Sequence, residues 1–261
     1  MTDQPTEADS AAAAGPLTII VGCPARGRHW ILPTWDQHVR AAVAEVPGLT
    51  LVGYQFVVGD DDSATLDLLD TWDTGRGLVE VRTVDEPRRL DTRDWTTDRL
   101  AHMVVLRNLL LGDVRRRDPD LFLSLDADML LAPGALQQMV ETYQRFQPGG
   151  CWAVGGKAYM LGGGQDRSHP SFGVLAATRS RASYTRGDTD YVIDADLLMG
   201  IKLMDRRAYG TDYHYDRRGE DVGWSVAVRA AGGRLLWDGR TASKHVTEYP
   251  WLYQVDPRVG F

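Results

Sequence analysis

The sequence predicts an α/β fold, and three observations carry that reading. Short, nearly uncharged apolar runs bounded by Gly, Pro or Asp recur along the chain, as buried strands do. Stretches with helical spacing of their apolar residues alternate with them. The length, 261 residues, suits one large α/β domain or two small ones. A content of 43% hydrophobic and 25% charged residues is ordinary for a globular chain. No apolar run approaches the roughly 20 residues needed to span a bilayer.

The start of the chain, MTDQPTEADSAAAAG, is polar and acidic, without a basic segment or a long apolar core. It does not read as a signal peptide, and residues 1–16 are expected to form a disordered tail ahead of a domain over 17–261. Cys23 and Cys151 both lie in or beside apolar strand-like stretches, and no CxxC spacing occurs. Buried free thiols in a reducing compartment follow, so a cytoplasmic location is expected. The net charge of −7 argues against a broad nucleic-acid-binding surface, although it leaves room for a local basic groove.

Leu17–Val21 reads as the first strand and Gly22–Arg28 as the loop leaving it. Ligands of open α/β sheets sit beyond the carboxyl ends of strands, so Cys23, Pro24, Ala25 and Arg26 are candidate nucleotide contacts. Arg26 and Arg28 can meet a pyrophosphate or stand as solvated loop arginines, and the spacing is not GxGxxG. A helix over Pro33–Val46 begins on Pro and stops at Pro47-Gly48. Leu49–Val58 is a second strand, ending at the acidic turn Gly59-Asp60-Asp61-Asp62, and Gly77–Val84 a third. From about Asp94 to Leu111, the residues Leu100, Met103, Val104 and Leu111 follow helical spacing, with Arg107 on the same apolar face. A guanidinium there needs an anionic partner. That partner is either a phosphate held bidentately or a nearby aspartate. Arg115-Arg116-Arg117 reads as a solvated helix end complementing the helix dipole.

Leu121–Leu131, LFLSLDADMLL, is then a buried strand running into Asp126-Ala127-Asp128, with Pro133 just beyond. In a strand, i and i+2 share a side, so Asp126 and Asp128 can face one hard divalent cation. This arrangement resembles the metal site of GT-A-fold nucleotide-sugar glycosyltransferases. The resemblance implies a mixed, mainly parallel sheet between helices, with Asp60, Arg107, Asp126 and Ala127 on the donor nucleotide. Arg107-Asn108 followed by Leu109–Leu111, about twenty residues ahead of Asp126, also resembles the fungal mannan-polymerase-type family.

Pro133–Phe146 reads as a helix and Cys151–Val154 as the start of a strand. Gly155–Asp190 is rich in Gly, Ser, Thr and Arg, and holds Arg167, His169, Arg179, Arg181 and Arg186. So long a loop is functional or disordered, and the resemblance implies an acceptor-binding or lid role, with Arg181 among the contacts. A second Asp-x-Asp, Asp194-Ala195-Asp196, precedes an expected strand over Leu197–Met204 containing Gly200. By resemblance, Asp194, Asp196 and Gly200 line the sugar and acceptor pocket.

Gly219-Glu220-Asp221-Val222-Gly223-Trp224 should open a helix reaching Ala231. Acids in a first turn offset the dipole. The pair also resembles the GT-A glutamate-aspartate motif, in which Asp221 would be the general base if the enzyme inverts, or only position groups if it retains configuration and the leaving phosphate takes the proton. Glu220 would orient and Trp224 would line the acceptor site. Arg234–Trp237 reads as a short strand. His245 follows Asp221 by 24 residues, where the resemblance places a metal-ligating histidine, and imidazole suits manganese. Lys244 is expected to help neutralise the diphosphate. The aromatic tail TEYPWLYQVDPRVGF is expected to cover the site or form an interface.

Together these expectations describe transfer of a sugar from a UDP- or GDP-sugar to an acceptor hydroxyl, with Mn2+ or Mg2+ on Asp126, Asp128 and His245 stabilising the leaving diphosphate. The acceptor left open by these residues is a glycan, a small molecule or a hydroxylated DNA base, the last as for some phage enzymes. Two other classes compete. A nucleotidyltransferase lacks support because no Gly-rich, Lys/Arg-bearing triphosphate loop follows the first strand. A non-catalytic carbohydrate-binding protein would not need all three acidic and histidine sites.

Overall fold

The apolar runs assemble into one mixed sheet flanked by helices on both faces. The computed structural model describes residues 16–72, 78–85, 96–161 and 192–246. The expected N-terminal tail up to residue 15, the loop from 162 to 191 with Arg167, His169, Arg179, Arg181 and Arg186, and the aromatic tail from 247 onward lie outside the described residues. The elements are β1 (Leu17–Ala25), α1 (Leu32–Ala44), β2 (Leu49–Gly59), α2 (Ser63–Trp72), β3 (Val79–Val84), α3 (Thr97–Arg117), β4 (Leu121–Leu125) and β5 (Met129–Leu131). There follow α4 (Ala135–Phe146), β6 (Cys151–Leu161), β7 (Val192–Asp194), β8 (Ile201–Asp205), α5 (Arg206–Tyr209), α6 (Glu220–Ala230) and β9 (Arg234–Val246).

The sheet order is β3-β2-β1-β4-β8-β6-β9-β5, with β7 also on β9. β1 to β4 run parallel, β8 is antiparallel to both β4 and β6, and β6 is parallel to β9. Strand alternation divides the core into two layers. Ile19, Val21, Leu121, Leu123, Ile201 and Leu203 pack with α1, α2 and α4. Ile20, Phe122 and Met204 pack on the other face with α3, α5 and α6.

Several local readings change. The helix expected to end near Leu111 continues to Arg117, capped by Thr96 and closed by Asp118 in the left-handed region. The three arginines at its end are engaged: Arg117 donates to the carbonyls of Val52 (2.8 Å) and Tyr54 (3.1 Å), and Arg115 to that of Tyr209 (2.9 Å). Arg116 pairs with Asp113 at 2.5 Å. The strand begun at Cys151 runs through Gly155-Gly156 to Leu161. Glycine reads as a strand breaker in sequence, yet it is what lets two segments touch here. A Cβ on Gly156 would lie 2.1 Å from Thr241 Oγ1. Finally, the expected strand Leu197–Met204 starts later and ends one residue further on, as Ile201–Asp205, and Arg234–Val246 forms one continuous strand.

Candidate active site

The centre of the site is the turn between β4 and β5. Asp126 N–H donates to the Gly200 carbonyl (3.0 Å), and Met129 N–H donates back to the Asp126 carbonyl (2.9 Å). The Asp-Ala-Asp segment is therefore a tight turn, not an extended strand end, and its two carboxylates take different partners. Asp126 accepts from Arg107 at 2.7 Å, and Asp128 accepts from Arg28 at 2.8 Å. Gly200, at φ +56°, fits this turn because a Cβ there would lie 2.7 Å from Met129 Cε and 3.7 Å from Asp126 Oδ2.

His245 reaches the turn through the antiparallel pairing of β5 with β9, where it stands opposite Met129. Its Nε2 lies 3.3 Å from Asp128 Oδ1. Burial opposes the charged imidazole, but the hydrogen bond and charge of Asp128 outweigh it and raise the histidine pKa. Burial likewise disfavours ionised Asp128, while His245 and Arg28 hold its carboxyl below the ordinary value.

Arg107 is buried, as its place on the apolar face of α3 predicts. Its first partner is Asp126 rather than a phosphate, and the same guanidinium stands 3.7 Å from Glu220 Oε1. It thus links the turn to the start of α6. There Glu220 and Asp221 are each 5% exposed, and Asp221 Oδ1 accepts from Lys202 Nζ at 2.5 Å. Burial, then the neighbouring Asp221 charge, pushes the Glu220 carboxyl up. Asn108 locks the adjoining loop: its side chain donates to the Tyr213 carbonyl (3.0 Å) and accepts from Tyr213 N–H (2.7 Å).

Several expected residues lie elsewhere. In the loop after β1, Arg26 pairs with Asp61 (3.0 Å), so Arg28 is the arginine that meets the turn. The side chains of Cys23, Ala25 and Ala127 are buried in the core, which leaves their backbone for any nucleotide contact; Pro24 is half-buried beside them. Asp60 is exposed at the end of β2, in the turn that Gly27 N–H joins by donating to Asp62 (2.6 Å). Lys244 falls on the opposite side of β9 from His245 by strand alternation, and its charge acts on His38 of α1. Trp224 is a packing residue, fully buried, with its ring 5.8 Å from that of Tyr213 and its indole N–H donating to the Ala208 carbonyl.

The second aspartate pair is also separated from this centre. Asp194 is bound to Arg234 at 2.9 Å and pairs in the sheet with Leu236. Leu236 and His245 stand beside Val154 and Met160 of β6, a separation of roughly 20 Å at strand rise. Asp196 pairs with Arg229 (2.6 Å) in the last turn of α6, whereas Glu220 and Asp221 occupy its first. Lys202 joins this cluster without belonging to any of the motifs in the sequence. The signal was present, since a lysine within the apolar run Ile201–Met204 of an internal strand requires a buried counter-ion.

No protein-family model and no curated protein matches the sequence. The structure is similar to the crystal structure of GalNAc-T7 with UDP, GalNAc and Mn2+, with a TM-score of 0.56 and 14% identity over 89% of this chain and 44% of that one. It is similar also to the crystal structure of S. aureus TarS, with a TM-score of 0.53 and 13% identity over 91% of this chain and 38% of that one. The fold is GT-A. The chain spans less than half the length of either structure. On this fold the turn holding Asp126 and Asp128 lies at the carboxyl end of β4, the edge at which open α/β sheets take ligands.

Among the described residues, no three His, Cys, Asp or Glu side chains are grouped so as to hold a metal ion. Two of the three expected donors do converge, the Asp128 carboxylate and the His245 imidazole, 3.3 Å apart. Carboxylate oxygens suit manganese or magnesium, and an imidazole beside them favours manganese of the two. Asp126 gives its Oδ1 to Arg107, so its Oδ2 is the atom that would join them. No described helix is long and apolar enough to cross a membrane.

Proposed function

We propose that this protein is a metal-dependent glycosyltransferase that moves a sugar from a nucleotide-diphosphate sugar, UDP- or GDP-linked, to an acceptor hydroxyl. The observation that carries the reading is the joining of the Asp126–Asp128 turn to a buried acidic helix start by one guanidinium, Arg107, on a GT-A fold. A divalent ion, held by Asp128 and His245 with Asp126 as the third donor, would supply Lewis-acid stabilisation of the leaving diphosphate.

This chain's own residues supply the rest. Arg28 lies half-buried beside Asp128, where a guanidinium can bind diphosphate oxygens. The acceptor oxygen attacks the anomeric carbon as the bond from that carbon to the β-phosphate oxygen breaks. The bonding pair leaves on the phosphate, and a carboxylate at the start of α6 takes the acceptor proton. The Arg107-Asn108 pair adds a sequence likeness to mannan-polymerase-type enzymes, and Asn108 serves here by holding the Tyr213 loop.

The test is a thermal-shift panel of UDP, GDP, CDP and dTDP, each with Mn2+, Mg2+ or EDTA. A ligand that binds the folded state raises the melting temperature by mass action. A metal-dependent rise with UDP or GDP is expected and names the donor class. No rise with any nucleotide would overturn the reading.

A further inference from the structure

Lys202 interrupts the apolar run Ile201–Met204 in the interior of the sheet, between Ser124 of β4 and Gly155 of β6. It is 0% exposed. Its ammonium lies 2.5 Å from Asp221 Oδ1, and 5.6 and 5.7 Å from the ring centroids of Tyr213 and Trp224. A lysine taken wholly out of water is costly unless an anion meets it. Of the two acids opening α6, it is Asp221 that meets this need.

Glu220 is placed differently. Its Oε1 stands 3.7 Å from the Arg107 guanidinium, which donates to Asp126 at 2.7 Å. Glu220 therefore shares a cation with the turn where the donor diphosphate is proposed to sit, while Asp221, whose charge also acts on Arg107, is the one hydrogen-bonded inward to the sheet through Oδ1.

We infer that Lys202 is a positioning residue that commits Asp221 to an internal ion pair, leaving Glu220 as the carboxylate that takes the acceptor proton. The inference rests on the glycosyl-transfer reading and reverses the roles expected from the sequence. In the step, the acceptor O–H bond breaks, its oxygen bonds the anomeric carbon, its proton passes to a Glu220 oxygen, and the nucleotide diphosphate departs with the bonding pair. Burial and the Asp221 charge both favour a proton on Glu220, the direction a proton acceptor needs.

The experiment measures nucleotide release from UDP-glucose, UDP-N-acetylglucosamine, UDP-galactose and GDP-mannose with Mn2+, water serving as acceptor, beside UDP and GDP thermal shifts. Glu220→Gln should lower kcat by about 100-fold or more, and Asp221→Asn by less than about tenfold, each with donor KM and nucleotide shift retained. Lys202→Met strands a buried carboxylate and should melt well below the wild type. Adding Asp221→Asn should recover much of that loss and bring kcat back to the level of Asp221→Asn alone. A larger kcat loss in Asp221→Asn than in Glu220→Gln, or a double variant no more stable than Lys202→Met, would overturn the inference while leaving glycosyl transfer intact. A wild type with neither nucleotide shift nor nucleotide release would instead remove the glycosyl-transfer reading, and this inference with it.

Discussion

Two Asp-Ala-Asp tripeptides in this chain have the same residues and differently buried partners. All four aspartates are met by arginines. In the first tripeptide the Arg107 side chain is 4% exposed and that of Asp128 11%. In the second, Asp194 is 68% exposed and its partner Arg234 39%; Asp196, at 29%, is no more exposed than Asp126, at 33%, and differs from it in having an arginine partner that is 37% rather than 4% exposed. Ion pairs in contact with water contribute about 0–1 kcal/mol, whereas breaking a buried pair strands a charge at a cost of about 3–5 kcal/mol. The tripeptide is thus not the unit that makes a site. What distinguishes the first is its position at the carboxyl end of β4, between the loop after β1 and the last residues of β9.

The largest contrast is expected from removing one carboxylate of each. Asp128→Ala should reduce nucleotide-sugar turnover by several kcal/mol of transition-state stabilisation, about 100-fold or more. It should also abolish the Mn2+-dependent part of the nucleotide thermal shift, with the far-UV circular dichroism unchanged. Turnover equal to that of the wild type would exclude Asp128 from the metal and erase the functional side of the contrast.

The arginines sharpen the energetic side. Arg107→Met takes the shared cation from Asp126 and Glu220, and should lower unfolding stability by about 3–5 kcal/mol. Arg234→Met removes a solvated ion pair with Asp194 and an exposed hydrogen bond to the Gly149 carbonyl, and should cost no more than about 1–2 kcal/mol. Urea unfolding midpoints at equal slope decide the matter. Equal shifts for the two variants would mean that Arg107 is not held internally at all.

How far this was legible in the sequence follows from where each partner sits. The uncharged run Leu121–Leu125 announced a buried strand, which stands in the structure; the two acids at its end read as facing one divalent cation, whereas each is met by its own arginine. Arg107 on an apolar helix face announced an anionic partner, and Asp126 is that partner. Which loop arginine meets the turn was not legible, because Arg26 and Arg28 sit in one loop whose path depends on the Asp61 and Asp62 turn. The Lys202–Asp221 pair was hidden for a related reason, since it joins a strand to a helix brought together only by packing. Strand lengths failed where glycine serves close approach: Gly155-Gly156 reads as a break, yet β6 passes through it against Thr241. The likeness of the two tripeptides misled for the same physical reason, because sequence does not display the exposure of a partner.

The smallest effect is expected at that second tripeptide, and it is also the most direct check on the comparison. Asp194→Ala and Asp196→Ala each remove one partner of an ion pair open to water. Each should change stability by no more than about 0.5–1 kcal/mol. Any difference should shrink in 1 M salt, where the screening length is about 3 Å. Turnover should stay within about twofold of the wild type, as for other substitutions outside a site. A loss of turnover in Asp196→Ala comparable with that in Asp128→Ala, with stability unchanged, would place a substrate at the far end of α6. The bonds of Asp194 and Asp196 to Arg234 and Arg229 would then have to open for ligand, and exposure would no longer separate the two tripeptides.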